Sequence, residues 1–388
     1  MHPVKLKIEG SFWDSQIYSG ELILIDINGS LHRINWNEAI DVIANKFPNF
    51  ETAVRVSFSD GELFYNPKVI KIFNDHAIKP VIISQLDSLS KSNITEKFSN
   101  KNSFWHEEVY PFSFLPSDTE IYYNRFFAAG EEGLYSTPKS GIGSKYSSND
   151  MTRHIDSNVL QVKASENASS VAIAAGNDGL FEFQFDRYVK GNLKREKSIA
   201  SIPCNICDWA FQSVIGSTLY NTFFVKFREE KKDDKKIRIF DEIIHDNDIF
   251  LSQKNKKSII WGAREKIYRY SEAGFEVLDY NNKNKKKPTF SFKGSVTSYN
   301  VQPDLDDVIS TGVAPFGTIV EFSDKLIVLR SDGEIETFPG ELVHWRTFPR
   351  SEHYSNQLHL IYEDRLEVVS FIHDYFVEQD EKIFGFTR

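Results

Sequence analysis

The chain has 388 residues, of which 40% are hydrophobic, 14% aromatic and 26% charged, and its formal net charge is −9. This composition predicts a globular protein with a sizeable core and excludes a fully disordered or fibrous chain. No apolar stretch reaches the roughly 18 residues of a membrane span and the amino terminus lacks a secretory signal, so we expect a soluble protein of the cytoplasm or nucleus.

The first predicted elements are a strand and a hairpin. Residues 11–17 predict a strand, and residues 22–32 predict a hairpin whose Asn28-Gly29 turn is the strongest short-range hairpin signal, because both positions tolerate positive φ.

A long interval follows, for which we predict a helix-bearing insertion over residues 36–112, within or after the first repeat unit. From Asn37 apolar residues recur at helical spacing, and Asn66-Pro67 has the form of an N-cap with proline at the first helical position. Residues 54–65 predict a further hairpin, and residues 84–102, rich in Ser, Asn and Lys, predict a loop.

The rest of the chain repeats one unit, a hairpin with a tight polar turn. Residues 126–135 and 171–181 share Ala-Ala-Gly, two polar residues and Gly-Leu-aromatic, and weaker copies lie at 213–220, 259–268, 308–320 and 358–368. Before each hairpin we predict an innermost strand, at residues 11–17, 120–124, 159–164, 205–211, 243–250, 296–301 and 344–348. After the first gap these starts recur at the roughly 40 to 50 residues of a four-stranded propeller blade.

These repeats resemble the WD40-type β-propeller superfold, although its Gly-His and terminal Trp-Asp dipeptides are missing and Trp13-Asp14 lies in a predicted inner strand. The resemblance implies an all-β propeller, with one domain over residues 1–388 and a helix-containing insertion after the first hairpin. Seven four-stranded blades fit best. Six or eight stay open, because the blades of the hairpins at 54–65 and 326–335 are unsettled; we assign the second to the junction of the sixth and seventh blades.

Several motifs suggest chemistry but are incomplete. Two cysteines cannot form a disulfide framework, and Cys204-Asn205-Ile206-Cys207 has zinc or redox spacing without the rest of either site. His344, His353, His359 and His373 lack compact metal-ligand spacing. The Asp246-Asn247-Asp248 calcium-loop fragment and the phosphate-loop fragment at 140–144 predict turns. We therefore expect no catalytic residue, metal or cofactor.

Three charged runs, at residues 229–236, 254–257 and 283–287, predict solvated loops. The two lysine runs could alternatively form a patch for an anionic partner, either nucleic acid or a phosphoinositide. The acidic balance of the whole chain disfavours nucleic acid, because a phosphate backbone needs a concentrated basic face.

Aromatic and arginine side chains dominate binding hot spots, and they cluster in two segments. We therefore predict partner contacts at Trp345, Arg346, Arg350, Tyr354, Phe104, Trp105 and Tyr110. Since propellers serve mostly as interaction platforms, the predicted function is a non-enzymatic scaffold or adaptor subunit that binds one or more proteins. The alternative is an enzyme whose active site lies in the central funnel.

Overall fold

The strands form seven sheets arranged in a ring. The computed structural model describes residues 1–59, 67–139, 151–185, 196–232, 235–250, 257–272, 274–281, 289–296, 304–377 and 382–386. Six sheets have four strands and one has five, and neighbouring innermost strands contact each other around a common axis. The molecule is a seven-bladed β-propeller, which confirms the predicted all-β fold and the preferred number of blades.

Blades 1 to 6 are antiparallel sheets in which the first strand lies innermost. Blade 1 contains β2 (Phe12–Tyr18), β3 (Glu21–Asp26), β4 (Ser30–Asn35) and β6 (Trp105–Val109). Blade 2 contains β7 (Asp118–Tyr122), β8 (Arg125–Gly130), β9 (Gly133–Pro138) and β10 (Thr152–Ile155). Blade 3 contains β11 (Gln161–Ser165), β12 (Ser170–Ala174), β13 (Leu180–Gln184) and β14 (Lys197–Ala200).

The remaining blades follow in chain order. Blade 4 contains β15 (Ile206–Ala210), β16 (Ser213–Ser217), β17 (Thr222–Lys232) and β18 (Lys235–His245). Blade 5 contains β19 (Ser258–Ala263), β20 (Lys266–Ser271), β21 (Gly274–Asn281) and β22 (Thr289–Val296). Blade 6 contains β23 (Val308–Ala314), β24 (Gly317–Phe322), β25 (Lys325–Arg330) and β26 (Ile335–Pro339).

Blade 7 joins the two ends of the described chain. It contains β27 (His344–Thr347), β28 (Gln357–Ile361), β29 (Arg365–Ser370), β1 (Val4–Glu9) and β5 (Ile94–Glu96). Strand β1 pairs antiparallel with β29, from Val4 opposite Ser370 to Glu9 opposite Arg365, and parallel with β5. Val4, Leu6 and Ile8 are buried on one face of β1, so the first strand of the chain closes the ring.

Four helices lie between the third and fourth strands of blade 1: α1 (Trp36–Lys46), α2 (Glu51–Phe58), α3 (Pro67–Phe73) and α4 (Lys79–Ser90). The Asn35 side chain caps α1 by accepting a hydrogen bond from the backbone N–H of Glu38. Buried Trp36 donates its indole N–H to the carbonyl of Phe58 at 2.6 Å. No helix of the described part of the chain is long and apolar enough to cross a membrane.

The hairpin predicted at residues 54–65 is wrong, because residues 51–58 form α2. Val54, Val56 and Phe58 alternate as in a strand, but packing of Val54 and Phe58 into the helical core around Trp36 decides their conformation. Residues 60–66 lie outside the described residues.

Two predicted inner strands are also misplaced. Residues 243–245 end β18, the outermost strand of blade 4, and a short helix, α5 (Asp246–Ile249), follows them. Val296 ends β22, the outermost strand of blade 5, and residues 297–301 lie outside the described residues. The inner strands of blades 5 and 6 are instead β19 and β23. Residues 326–335 lie within β25 and at the start of β26 of blade 6, not at the junction with blade 7.

Candidate functional site: the central channel and the front face

The seven inner strands all run in one direction along the axis, since each blade starts at its inner edge and repeats the same strand order. We call the face where inner strands begin the front face and the face where they end the rear face. The strands enclose a central channel of about 1730 Å³, and residues near both the front and the rear face line it.

A middle ring of side chains lines this channel. On six inner strands the residue two positions before the strand end lines it, and on β27 Arg346 does so; these residues are Gln16, Glu120, Lys163, Asp208, Trp261, Gly312 and Arg346. The ring is polar on blades 7, 1, 2, 3 and 4, which are consecutive around the axis, and non-polar on blades 5 and 6. The channel therefore has a charged side and an aromatic side.

Arg346 anchors the charged side. Its guanidinium donates two hydrogen bonds to the carboxylate of Asp14 on blade 1, one of them at 2.6 Å, and lies 2.7 Å from the carboxylate of Asp118 on blade 2. All three side chains are buried. Burial alone would raise the pKa of Asp14, but Arg346 outweighs it and holds that pKa below its ordinary value. The same neighbours raise the pKa of Arg346 despite its burial.

These carboxylates also link neighbouring blades through the backbone. The Asp118 carboxylate accepts hydrogen bonds from the N–H of Thr119 on its own strand at 3.0 Å and from that of Val162 on blade 3 at 2.9 Å. The side-chain amide oxygen of Gln161 accepts one from the N–H of Cys207 on blade 4 at 2.7 Å. The bonds from Val162 and Cys207 each cross from one inner strand to the next. Together with the pairing of Arg346 with Asp14 and Asp118, they form a belt that links blades 7, 1, 2, 3 and 4.

Three further charged groups belong to the middle ring, namely Glu120, Lys163 and Asp208. The Glu120 carboxylate accepts a hydrogen bond from Arg350 at 2.6 Å and another from the N–H of Ala164 at 3.2 Å. Burial raises the pKa of Asp208 to about 6; Lys163 opposes this shift, whereas Glu120 adds to it. A desolvated carboxyl with a raised pKa in a cavity is a group that could transfer protons.

Trp345 forms much of the aromatic side. Its indole N–H donates to the hydroxyl of Ser310 at 2.8 Å and to the carboxylate of Glu321 at 3.0 Å, both on blade 6. A Cβ atom at Gly312 would lie 2.5 Å from the Trp345 ring, so glycine is required there for the ring to lie against β23. Burial raises the pKa of Glu321.

Two segments lie across the rear opening. The link between the first and second strands has two to four residues in blades 1 to 6, but in blade 7 it spans residues 348–356. In this link Arg350 reaches Glu120 of blade 2, and the carbonyl of Pro349 accepts a hydrogen bond from Arg264 of blade 5 at 3.2 Å. Around the ring, blade 2 lies two blades from blade 7 in one direction and blade 5 lies two blades from it in the other. This rear loop must therefore project over the axis.

The second segment is the rear tail, residues 382–386. The Gly385 N–H donates to the hydroxyl of Tyr268 at 2.9 Å, and the guanidinium of Arg264 lies 4.6 Å from the centre of the Phe386 ring. Arg264 thus contacts both the rear loop and the rear tail.

The front opening has a different surface. Large apolar side chains are exposed in the turns and strand ends of this face, namely Ile27, Val109, Leu115, Tyr220, Ile309 and Val343. Ile309 is 53% and Val343 40% exposed, and both line the channel. Beside Val343, the Nε2 atom of His344 is shielded from solvent and has no hydrogen-bond partner among the described residues. Burial and then Arg346 lower the pKa of His344 to about 4, so the ring is neutral at physiological pH.

The structure divides the seven predicted contact residues into two groups. Trp345, Arg346, Arg350 and Tyr354 all line the channel. Arg346 and Tyr354 are buried, and the Tyr354 hydroxyl accepts a hydrogen bond from the N–H of Gly20 at 3.1 Å.

The other group lies away from the channel. Phe104, Trp105 and Tyr110 are buried, the first two against the insertion and the third between blades 1 and 2. The structure does not bring them together with the channel residues. A partner contact at either group stays a prediction.

The remaining motifs concern the two cysteines, metal binding and the loop fragments. Cys204 and Cys207 are buried, and burial raises both thiol pKa values, that of Cys204 to about 12, which suppresses the reactive thiolate. Among the described residues no three His, Cys, Asp or Glu side chains form a metal-binding group. The fragment at 140–144, the run at 283–287 and residues 254–256 lie outside the described residues.

Sequence reasoning missed Glu120, Lys163, Asp208 and Arg264 as channel residues. The first three share one position relative to the turn that follows each inner strand, and Arg264 lies in such a turn. Counting back from the turns would have identified the three on β7, β11 and β15.

The chain matches no family model and no curated protein. Among solved structures it is similar to the AfRom2 CNH domain, with 11% sequence identity and a TM-score of 0.31 over 64% of this chain and 91% of that chain. It is also similar to the computationally designed Ika8 protein, with 7% identity and a TM-score of 0.43 over 95% of this chain and 99% of that one. The strand pairings themselves carry the assignment: this chain is a seven-bladed β-propeller.

Proposed function

We propose that this chain is a non-enzymatic protein-interaction platform, a scaffold or adaptor subunit of a larger complex in the cytoplasm or nucleus, whose partner docks on the front face. The observation that carries the proposal is the exposure of Ile309 and Val343 beside the half-buried Trp345 at the front opening. Apolar side chains exposed at the rim of a cavity are typical of interaction surfaces.

The rear opening is the weaker docking site. The rear loop and the rear tail already cover it, and Phe384 and Phe386 of the tail are buried. A partner at the rear would have to displace these contacts, whereas a partner at the front face meets exposed apolar groups. This difference supports docking from the front.

Affinity capture from native lysate at near-physiological salt tests the proposal, with the captured partner then purified. We expect a stoichiometric protein partner whose affinity falls about tenfold in the double variant Ile309→Gln and Val343→Gln, because hot-spot truncations at an interface centre cost on the order of 1 to 2 kcal/mol. The matched control is Ile78→Gln with Val81→Gln, which changes two exposed apolar residues at the start of α4. Equal affinity of both double variants and the unmodified chain would refute docking at the front opening.

An enzyme with its active site in the channel is the second candidate, and the raised pKa of Asp208 beside Lys163 and Glu120 favours it. We would screen polar small molecules for a rise in Tm of the unmodified chain and of Asp208→Asn. A compound that stabilises only the unmodified chain and is chemically converted by it would support this candidate over the scaffold. For the alternative of an anionic partner, the structure describes one member of the lysine runs, Lys257, and this residue pairs with Asp306.

A further inference from the structure

The turns of the front face carry almost only acidic charge. These turns join the second to the third strand of each blade and the last strand of one blade to the first of the next. Among the described residues of these turns, Lys257 is the only Lys or Arg, and it pairs with Asp306. The acidic residues there are Glu131, Glu132, Asp156, Asp178, Asp246, Asp248, Glu272, Asp304, Asp306, Asp307, Asp324, Glu341, Glu363 and Asp364.

Some of these carboxylates are already paired within the chain, and others are available to an external cation. Asp156, Asp324 and Asp364 form ion pairs with Arg153, Lys325 and Arg365, which lie close to them in sequence. Other acidic side chains of this face, Glu131, Glu341 and Glu363, are exposed and form no ion pair with a described residue.

The channel below this face has the same sign of charge. Its described lining contains nine carboxylates and four Lys or Arg side chains. Two of those cations are engaged, Arg346 with Asp14 and Asp118 and Arg350 with Glu120. A concave site lined mostly by one sign of charge focuses the field and attracts groups of the opposite sign.

His344 gives an independent indication of a ligand at the front end of the channel. Its Nε2 atom is shielded from solvent without a partner among the described residues, and buried polar atoms are normally hydrogen-bonded. The atom lies on a residue that lines the channel next to Val343 and two positions before Arg346. A polar group that enters from the front opening could provide the missing hydrogen bond.

We infer that the front face binds a protein segment that carries Lys or Arg side chains interspersed with apolar ones. The inference rests on the proposed function and specifies the chemistry of the partner. The basic side chains pair with Glu131, Glu341 and Glu363, and the apolar ones contact Ile309 and Val343. Nucleic acid and anionic membranes are repelled by the same carboxylates.

The test uses a fluorescein-labelled peptide of three Lys-Leu-Arg-Ser repeats and a comparison peptide of three Glu-Leu-Asp-Ser repeats. By fluorescence anisotropy we expect the basic peptide to bind more tightly than the acidic one, and its binding to weaken between about 50 and 300 mM salt because exposed charges are screened.

Two charge-reversed variants locate the binding. In the double variant Glu131→Lys and Glu363→Lys we expect the affinity for the basic peptide to fall about tenfold. The matched control is Glu107→Lys with Glu334→Lys, which changes net charge equally but lies on the outer strand of blade 1 and in a rear turn of blade 6; we expect less than about a twofold loss there.

Tighter binding of the acidic peptide, or equal losses in the two charge-reversed variants, would overturn the inference. The captured protein partner separates this failure from failure of the proposed function. If Ile309→Gln with Val343→Gln weakens that partner and Glu131→Lys with Glu363→Lys does not, the interaction platform stands and its basic specificity is wrong. If neither double variant weakens it, docking at the front face itself is wrong.

Discussion

At the scale of single residues, Arg346 shows how contacts that are distant in sequence give a structural role to a residue that a local motif singles out. Arginine beside tryptophan predicts a binding hot spot, and Arg346 does line the channel. Its guanidinium, however, is enclosed by Asp14 and Asp118 from two other blades. These partners lie more than 200 residues away in sequence, so the pairing could not be deduced before the blades were placed.

This arrangement makes Arg346 a stability determinant. We expect Arg346→Met to lower the free energy of unfolding by about 3 to 5 kcal/mol, because it leaves two buried carboxylates without a counter-charge. Urea denaturation followed by tryptophan fluorescence measures the loss. The triple variant Arg346→Met, Asp14→Asn and Asp118→Asn should recover much of it. A single variant as stable as the unmodified chain would show that the pair is not buried.

At the scale of elements, the turns were predictable and the order of strands within blades was less so. The Asn28-Gly29 turn and the Ala-Ala-Gly repeats specify hairpins locally, and all of these appear as adjacent strands. Alternating apolar residues do not reveal whether a strand is innermost or outermost. Two of the predicted inner strands therefore fall on the long outer strands β18 and β22, and the middle ring could not be aligned from the sequence in blades 5 and 6.

Arg264 provides a test of how the rear segments are held. We expect Arg264→Ala to increase amide hydrogen exchange in the rear loop and the rear tail, because the side chain bonds to Pro349 and lies against Phe386. Hydrogen exchange with mass spectrometry measures both segments at once. Arg228→Ala, which removes ion pairs to Glu230 on β17 and Asp241 on β18, should leave them unchanged. Unaltered exchange in Arg264→Ala would show that other contacts secure the segments.

At the scale of the whole molecule, ring closure depends on β1, which is hydrogen-bonded on both edges. A chain that starts at residue 11 leaves an edge of β29 open and Ile94 and Leu366 without the cover of Leu6 and Ile8. We expect it to unfold at a lower temperature and to aggregate, since an exposed strand edge is a template for association. Calorimetry and size-exclusion chromatography measure these effects.

A synthetic peptide of residues 1–10, added to the shortened chain, should raise its Tm, and a scrambled peptide should not. A shortened chain that is as stable and monomeric as the full one would show that closure does not depend on β1.

The position of β1 also has a consequence for biosynthesis. The ribosome makes β1 before β29, its antiparallel neighbour, which emerges more than 350 residues later. At ordinary translation rates that interval is on the order of tens of seconds, during which the nascent chain displays Val4, Leu6 and Ile8 next to unpaired backbone groups. Blade 7 can therefore be completed only after β29 has been synthesised, and until then we expect β1 to be a binding site for chaperones that hold extended apolar segments.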